Sequence, residues 1–264
     1  MVTSIEVKNV SKRFHKYYTR TLKQAVVAKT RGQKTSDTFL ALEDITFTAE
    51  QGESIGLMGL NGSGKSTLLK LVNGITRPDT GTVRTRGQIS GLIATGAGFH
   101  NQMTGRENIY MNAAILGMSA KETDAKFDEI AAFADIDDFL DTPVGGYSSG
   151  MFSRLGFAIA VHIDCDIFIA DEVLAVGDRP FKKKCQAKME EVRDSGRTIF
   201  YVSHSTESVR RMCQRVLVLE KGRLVFDGPA EEGIAFYEGE DYVAPDTTDR
   251  SQHDLDDEAI GNDI

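Results

Sequence analysis

The chain has 264 residues, 41% of them hydrophobic and 27% charged, with a net charge of −8. That length can bury a substantial core, in one large domain or two smaller ones. The charge is concentrated: Glu240 to Ile264 holds nine acidic residues and one Arg, leaving 30 basic and 30 acidic residues in the body. A near-neutral body excludes the basic footprint of a duplex-nucleic-acid binder.

Cys165, Cys185 and Cys213 are scattered without a CxxC pair, which fits small core residues in a reducing, cytosolic compartment. The N-terminal "MVTSIEVKNVSKRFHKYY" is polar and lacks the apolar region of a signal peptide. No stretch approaches the roughly 18 apolar residues of a membrane span. The expectation is a soluble chain.

In chain order, "SIEVKNV" reads as the first strand. Residues 15–39 form an insert with six basic residues (Lys16, Arg20, Lys23, Lys29, Arg31, Lys34) against Asp37, and its middle predicts a short helix burying Leu22, Ala25 and Val26. "ALEDITFTAEQGESIGLMG" predicts two strands around a Gln51-Gly52 turn. Residues 100–163 read as helical, since Thr104-x-x-Glu107 and Ser119-x-x-Glu122 are capping boxes opening apolar runs. The strand "IFIAD", a helix from Arg179 to Arg193, the strand "TIFYVS" and a hairpin turning at Lys221-Gly222 follow. Strands alternating with helices predict an α/β fold around a largely parallel sheet. The tail after Tyr242 is polar and aperiodic, the composition of a disordered segment.

Gly59-x-x-x-x-Gly64-Lys65-Ser66 is the P-loop pattern, between the apolar strand "SIGLMG" and the helix "STLLKLV". Its chemistry needs backbone N–H groups converging on phosphate oxygens at a helix N-terminus. Gly59, Gly62 and Gly64 allow the curvature, Lys65 reaches the β- and γ-phosphates, and the Ser66 hydroxyl ligates Mg²⁺. A strand-end acid must hold the metal. "IFIADE" supplies Asp171, with Glu172 beyond it to polarise the attacking water, and "YVSHS" ends on His204, placed to contact a γ-phosphate. The Asn-Lys-x-Asp and Asp-x-x-Gly motifs of GTPases are missing, which favours adenine.

With these motifs in this order, residues 4–240 resemble the ATP-binding cassette (ABC) ATPases. The resemblance implies a P-loop NTPase core with an antiparallel β subdomain and an inserted α-helical subdomain, in one domain over 1–240, with 241–264 as the acidic tail. It places Walker A at Gly59–Thr67, so that Asn61, Ser63 and Thr67 join the nucleotide-binding residues. It also places a signature at Tyr147–Met151, a D-loop at Ala175–Asp178 and the switch at His204. The usual signature is Leu-Ser-Gly-Gly-Gln; Tyr147, Ser149 and Met151 depart from it, while Ser148 and Gly150 keep the positions that hold a γ-phosphate. The Q-loop glutamine would fall near Ala94 or Thr95, neither an amide, and Gln102 lies downstream.

The stretches "GAGFHNQMTGRENIYMNAAILG", "YSSGMFSRLGFAIAV" and "DEVLAVGD" are similar to the polysaccharide, O-antigen and teichoic acid exporter branch, and within it to actinobacterial exporters of lipid-linked galactan. That implies a head-to-tail homodimer in which each ATP on one P-loop is closed by Ser148 and Gly150 of the other copy. It further implies a polytopic permease partner at the cytoplasmic face of the membrane, and adenine stacking by Phe14, with Tyr17 or Tyr18 as substitutes. The basic insert is either a solvated surface or a contact to anionic lipid or polymer phosphates. The rival readings are a soluble ABC ATPase acting on DNA or ribosomes, an importer, and a binding module without turnover. The first fits poorly with a single cassette and a neutral body, the last with an intact Glu172. The remaining histidines (His15, His100, His162, His253) lack metal-ligand spacing.

Overall fold

The computed structural model describes residues 2–17, 36–92, 98–171 and 177–239. Two sheets organise it. The first is antiparallel, in the order β2 (Ser36–Glu50), β1 (Thr3–Tyr17), β4 (Thr80–Thr85). The second has six strands in the order β5 (Ile89–Leu92), β6 (Ile167–Ala170), β7 (Thr198–Val202), β3 (Ser54–Met58), β8 (Arg215–Glu220), β9 (Arg223–Pro229). Its strands run parallel except β9, which returns antiparallel to β8. This is the mixed α/β architecture that the motifs imply.

The strands flanking Gln51-Gly52 both form but belong to different sheets, and their burial shows why. In β2, Leu42, Ile45, Phe47 and Ala49 are buried while Asp44, Thr46 and Thr48 are exposed, the alternation of a sheet with one wet face. All five residues of β3 are buried, as suits a central parallel strand covered on both sides.

The first strand extends well past Val10. Asn9, with a left-handed φ of 49°, sits at a bulge that breaks the alternation and hides the continuation. Beyond it Phe14 faces Phe39, His15 faces Thr38 and Tyr17 faces Ser36. Both ends of the basic insert therefore belong to a long two-stranded arm. The helix expected between them falls in 18–35, outside the described residues, as does the acidic tail from 240.

Three helices fill the expected helical segment: α2 (Gly105–Ile115), α3 (Ala120–Ala134) and α4 (Ser149–Val161); α1 (Lys65–Val72) precedes them. Both capping boxes form. Glu107 Oε2 accepts from Thr104 N at 2.8 Å, and Glu122 Oε2 from Ser119 N at 2.7 Å. After β6 come α5 (Arg179–Asp194), α6 (Thr206–Met212) between β7 and β8, and α7 (Ala230–Glu238) after β9.

Leu155 to Val161 of α4 are buried on every side, against α2, α3 and the parallel sheet through Phe168, Ile199 and Tyr201. A second core joins α1 (Leu68, Leu69, Leu71) and the antiparallel sheet to the other face of the parallel strands. Cys185 and Cys213 sit as small core residues, and Cys165 packs half-buried against the same core. Burial pushes the Cys165 thiol up to about 11 and the Cys185 thiol up to about 12, so both are inert at neutral pH.

Candidate functional site

The carboxyl end of β3 leads straight into the glycine loop. Gly59 has a φ of 142°, and a Cβ there would strike the carbonyl oxygen of Leu219 on the adjacent strand β8. Gly64 has a φ of 111°, and a Cβ would lie 2.8 Å from the Ala41 carbonyl oxygen. Only glycine fits at either position without displacing backbone.

The loop is braced from below by the β8–β9 hairpin, whose turn residues Lys221 and Gly222 both have positive φ. Gly222 donates its N–H to Ser63 O at 2.9 Å, and its own carbonyl accepts from Glu43 N at 2.8 Å. One turn thus ties the phosphate loop to β2. The Ser63 hydroxyl points inward, buried against Gly59, so this side chain belongs under the loop and not to its ligand face.

Lys65 opens α1 and is 8% exposed. Its ammonium donates to Gly59 O at 2.6 Å and Leu60 O at 3.1 Å, curled into its own loop. Around it lies a cleft of about 340 Å³. Asn61, Gly62 and Gly64 to Thr67 form one wall, Asp171 follows β6, and His204 follows β7. The loop bearing His204 is held on both flanks, because Ser205 N donates to the buried Ser203 hydroxyl at 3.1 Å and Ser205 caps α6.

Residues distant in sequence therefore converge where the strands of a parallel sheet end, the usual ligand crevice of such sheets. Ser66 and Asp171 bring a hydroxyl and a carboxylate to one cleft. That is a hard-oxygen pair suited to Mg²⁺, which takes few protein ligands and completes its shell with phosphate oxygens and water. Glu172 lies in 172–176, outside the described residues, and Ala94 and Thr95 lie in 93–97, outside them as well. Gln102 is exposed and does not line the cleft.

Phe14 does not line the cleft either. Its ring stacks on Phe39 at 5.8 Å, and Phe39 is the ring that faces the phosphate loop. Sequence reading missed Phe39 because it placed that residue in the insert 15–39 and sought the stacking ring at the end of the first strand; the Phe14–Phe39 register appears only once the strands are paired.

Ser148 and Gly150 stand apart, at the mouth of α4. Ser148 caps the helix, its hydroxyl accepting from Met151 N at 3.2 Å. The side of Gly150 where a Cβ would point is open, with nothing nearer than Ser148 Oγ at 3.8 Å. The unusual neighbours have local reasons. Tyr147 donates its hydroxyl to Phe139 O at 2.7 Å and packs on Gly105, while Met151 turns toward the helical core.

The loop before α2 depends on a residue the sequence did not flag. Asn108 is fully buried; its Oδ1 accepts from His100 N at 2.7 Å, and its Nδ2 donates to the carbonyls of His100, Met103 and Thr104.

A family model described as ABC transporter matches residues 42–175. The chain is 45% identical over 199 residues to the O-antigen export system ATP-binding protein RfbB of Klebsiella pneumoniae, covering 75% of this chain and 81% of that one. It is 44% identical over 233 residues to the teichoic acids export ATP-binding protein TagH of Levilactobacillus brevis, covering 88% of this chain; the match spans only 64% of the longer TagH. A solved ATP-binding subunit of an ABC transporter superposes with a TM-score of 0.70 over 90% of this chain and 94% of that one, at 23% identity, which supports the fold. With its glycine loop, Asp171 and His204 gathered in one cleft and the family model covering the glycine loop and Asp171, the chain belongs to the ABC transporter family.

Proposed function

We propose that this chain is the ATP-hydrolysing nucleotide-binding subunit of an exporter that moves a lipid-linked polysaccharide, a galactan in the most specific form of the reading, across the cytoplasmic membrane. The observation that carries the hydrolytic half is the convergence of Lys65, Ser66, Asp171 and His204 on one cleft. The transport half rests on likeness to the O-antigen and teichoic acid export ATP-binding proteins RfbB and TagH.

Lys65 leaves the carbonyls of Gly59 and Leu60 for the β- and γ-phosphates, and the loop N–H groups bind the remaining oxygens. Ser66 and Asp171 would hold Mg²⁺, which would supply charge to offset that on the phosphate oxygens. Glu172 orients the attacking water, and His204 donates to the γ-phosphate from its braced loop. Phosphoryl transfer is mostly positioning and charge stabilisation, so a site left half-built in one copy is an effective gate. Ser148, the N–H groups near Gly150 and the positive end of α4 complete the site from a second copy, in a head-to-tail homodimer. Adenine seats on the Phe39 face, with Phe14 behind it.

No described helix is long and apolar enough to cross a membrane. The export-system relatives support attachment to the cytoplasmic face through a polytopic permease subunit. The test is twofold. Glu172→Gln should abolish hydrolysis and trap an ATP-bound dimer. Gentle detergent extraction should recover a polytopic membrane protein, and recovery of ribosomes or DNA-repair factors instead would overturn the transport reading.

A further inference from the structure

Phe39 and the phosphate loop belong to different sheets, so bonds that cross between the sheets must set their spacing. Phe39 sits on β2 of the antiparallel sheet, and the glycine loop leaves β3 of the parallel one. The β1–β2 ladder is interrupted close to the ring. Lys12 faces Leu42 and Arg13 faces Leu40, which leaves Ala41 as the extra residue of a bulge. A bulge bends its strand, and this one lies two residues from Phe39 in the cleft that both residues line.

Three segments touch at Ala41. A Cβ on Gly64 of the loop, or on Gly222 of the β8–β9 turn, would lie 2.8 Å from the Ala41 carbonyl oxygen. Two residues further on, Glu43 grips the same turn twice. Its N–H donates to Gly222 O at 2.8 Å. Its carboxylate accepts a fork from Arg223, Nε to Oε2 at 2.9 Å and Nη2 to Oε1 at 2.7 Å. Gly222 N–H in turn donates to Ser63 O of the phosphate loop at 2.9 Å. A continuous path of bonds therefore runs from the strand of Phe39 through the turn to the loop.

The Arg223 and Glu43 side chains are 65% and 41% exposed, and a lone exposed pair contributes little to stability. This pair differs in geometry. The fork is bidentate, and with the Glu43–Gly222 backbone bond it fixes direction as well as distance. Neither side chain lines the cleft, so neither touches a nucleotide there.

We propose that Glu43 and Arg223 form a positioning clasp that sets the spacing between the Phe39 platform and the phosphate loop, so that the base and the triphosphate of one nucleotide are held together. The inference rests on the nucleotide site proposed above. It separates two ligands. Tripolyphosphate has no base and is indifferent to where Phe39 stands, whereas ATP must satisfy both ends at once.

The test is calorimetric titration of the full chain with ATP and with tripolyphosphate, each with Mg²⁺. The chains compared are wild type, Arg223→Gln, Glu43→Gln, Arg223→Lys, Phe39→Ala, and Phe39→Ala combined with Arg223→Gln. Wild type should bind ATP more tightly than tripolyphosphate by roughly 5- to 150-fold, the worth of one stacked base. Arg223→Gln and Glu43→Gln should each cut that ratio about three- to fivefold, near the upper limit for an exposed pair, with tripolyphosphate affinity unchanged. Arg223→Lys keeps the charge without the fork and should restore the ratio only in part. In the Phe39→Ala background, Arg223→Gln should change the ratio no further, because the ring it positions is gone. A merely structural clasp would lower the melting temperature and weaken both ligands alike, which would overturn the proposal. So would a wild-type ratio in Arg223→Gln when Phe39→Ala alone lowers it. Failure of the nucleotide-site reading looks different and takes the clasp with it: Phe39→Ala would leave the ratio unchanged, or tripolyphosphate would not bind wild type at all.

Discussion

Phe39 stands between Phe14 and the phosphate loop: the two rings stack at 5.8 Å, and Phe39 presents the outer face to the cleft. The pair is fixed by register, since Phe14 and Phe39 are direct partners across the β1–β2 ladder. Lys12 lies 5.7 Å over the Phe14 ring on this platform, adding a cation to its edge. Base–aromatic stacking is worth about 1–3 kcal/mol, so Phe39→Ala should weaken ATP binding by roughly 5- to 150-fold. Phe14→Ala should weaken it less, because Phe14 acts by supporting Phe39. Titration with a fluorescent ATP analogue ranks the two, and a larger loss from Phe14→Ala would return the adenine to the residue that the sequence suggested.

The two duties of Ser148 can be separated by one substitution. As a helix cap its hydroxyl accepts from Met151 N, and Asp caps a helix as well as Ser does. As a phosphate contact it must not be anionic. Ser148→Asp should therefore keep the melting temperature near wild type and abolish ATP-dependent dimerisation and hydrolysis. Ser148→Ala should lose about 1 kcal/mol of stability from the missing cap. Size-exclusion chromatography with the Glu172→Gln background reads the dimer, and full dimerisation of the Ser148→Asp form would remove Ser148 from the nucleotide site.

The chemistry of the phosphate side was legible because it is local. Gly59 to Ser66 is contiguous, and Asp171 and His204 each end an apolar strand whose period and length are plain. What stayed hidden was pairing. Asn9 interrupts the alternation of β1, so the arm to Tyr17 could not be read, and with it went Phe39. Asn108 looked like one polar residue on an amphipathic helix. Its role depends on a loop folding back over the start of α2, which no spacing announces. Arg154 was visible as an on-helix cation, but its partners Asp135 and Asp178 lie 19 and 24 residues away on opposite sides in sequence.

His162 gives the fold an acid-side weakness. It closes α4, its ring edge-on to Phe133 and its Nδ1 bonded to Ala158 O at 2.7 Å. Burial holds its imidazole below the ordinary value of 6.5. The unfolded chain therefore takes up a proton before the folded one does. The stability contributed by the neutral ring is complete above about pH 6.5 and is lost as pH falls through the lowered folded value. The urea midpoint should drop between pH 7.5 and 5.5 in wild type, and His162→Gln should flatten that drop. Carboxylates do not confuse the window: Asp164, held below its ordinary 3.8 chiefly by the Lys126 hydrogen bond, loses its contribution only in stronger acid. An unchanged slope in His162→Gln would exclude the imidazole as the cause.

Asn108 offers a charge test of a buried polar knot. Its amide is matched to its surroundings, one acceptor facing His100 N–H and one donor group facing three carbonyls. Asn108→Leu leaves the His100 N–H without its partner and should cost about 1–3 kcal/mol. Asn108→Asp keeps an oxygen for His100 N–H but sets a carboxylate against those carbonyls in a fully buried position. Burial and the carbonyl dipoles raise the folded pKa of that new acid above its unfolded value near 3.9. A raised carboxyl is least harmful while protonated, so the variant should be most stable in mild acid and lose stability as pH rises. Wild type should follow the opposite trend through His162. Measured against wild type by urea unfolding at each pH, Asn108→Asp should therefore be less destabilised at pH 5 than at pH 8, and an equal deficit at both would mean the loop has opened to let water reach the new charge.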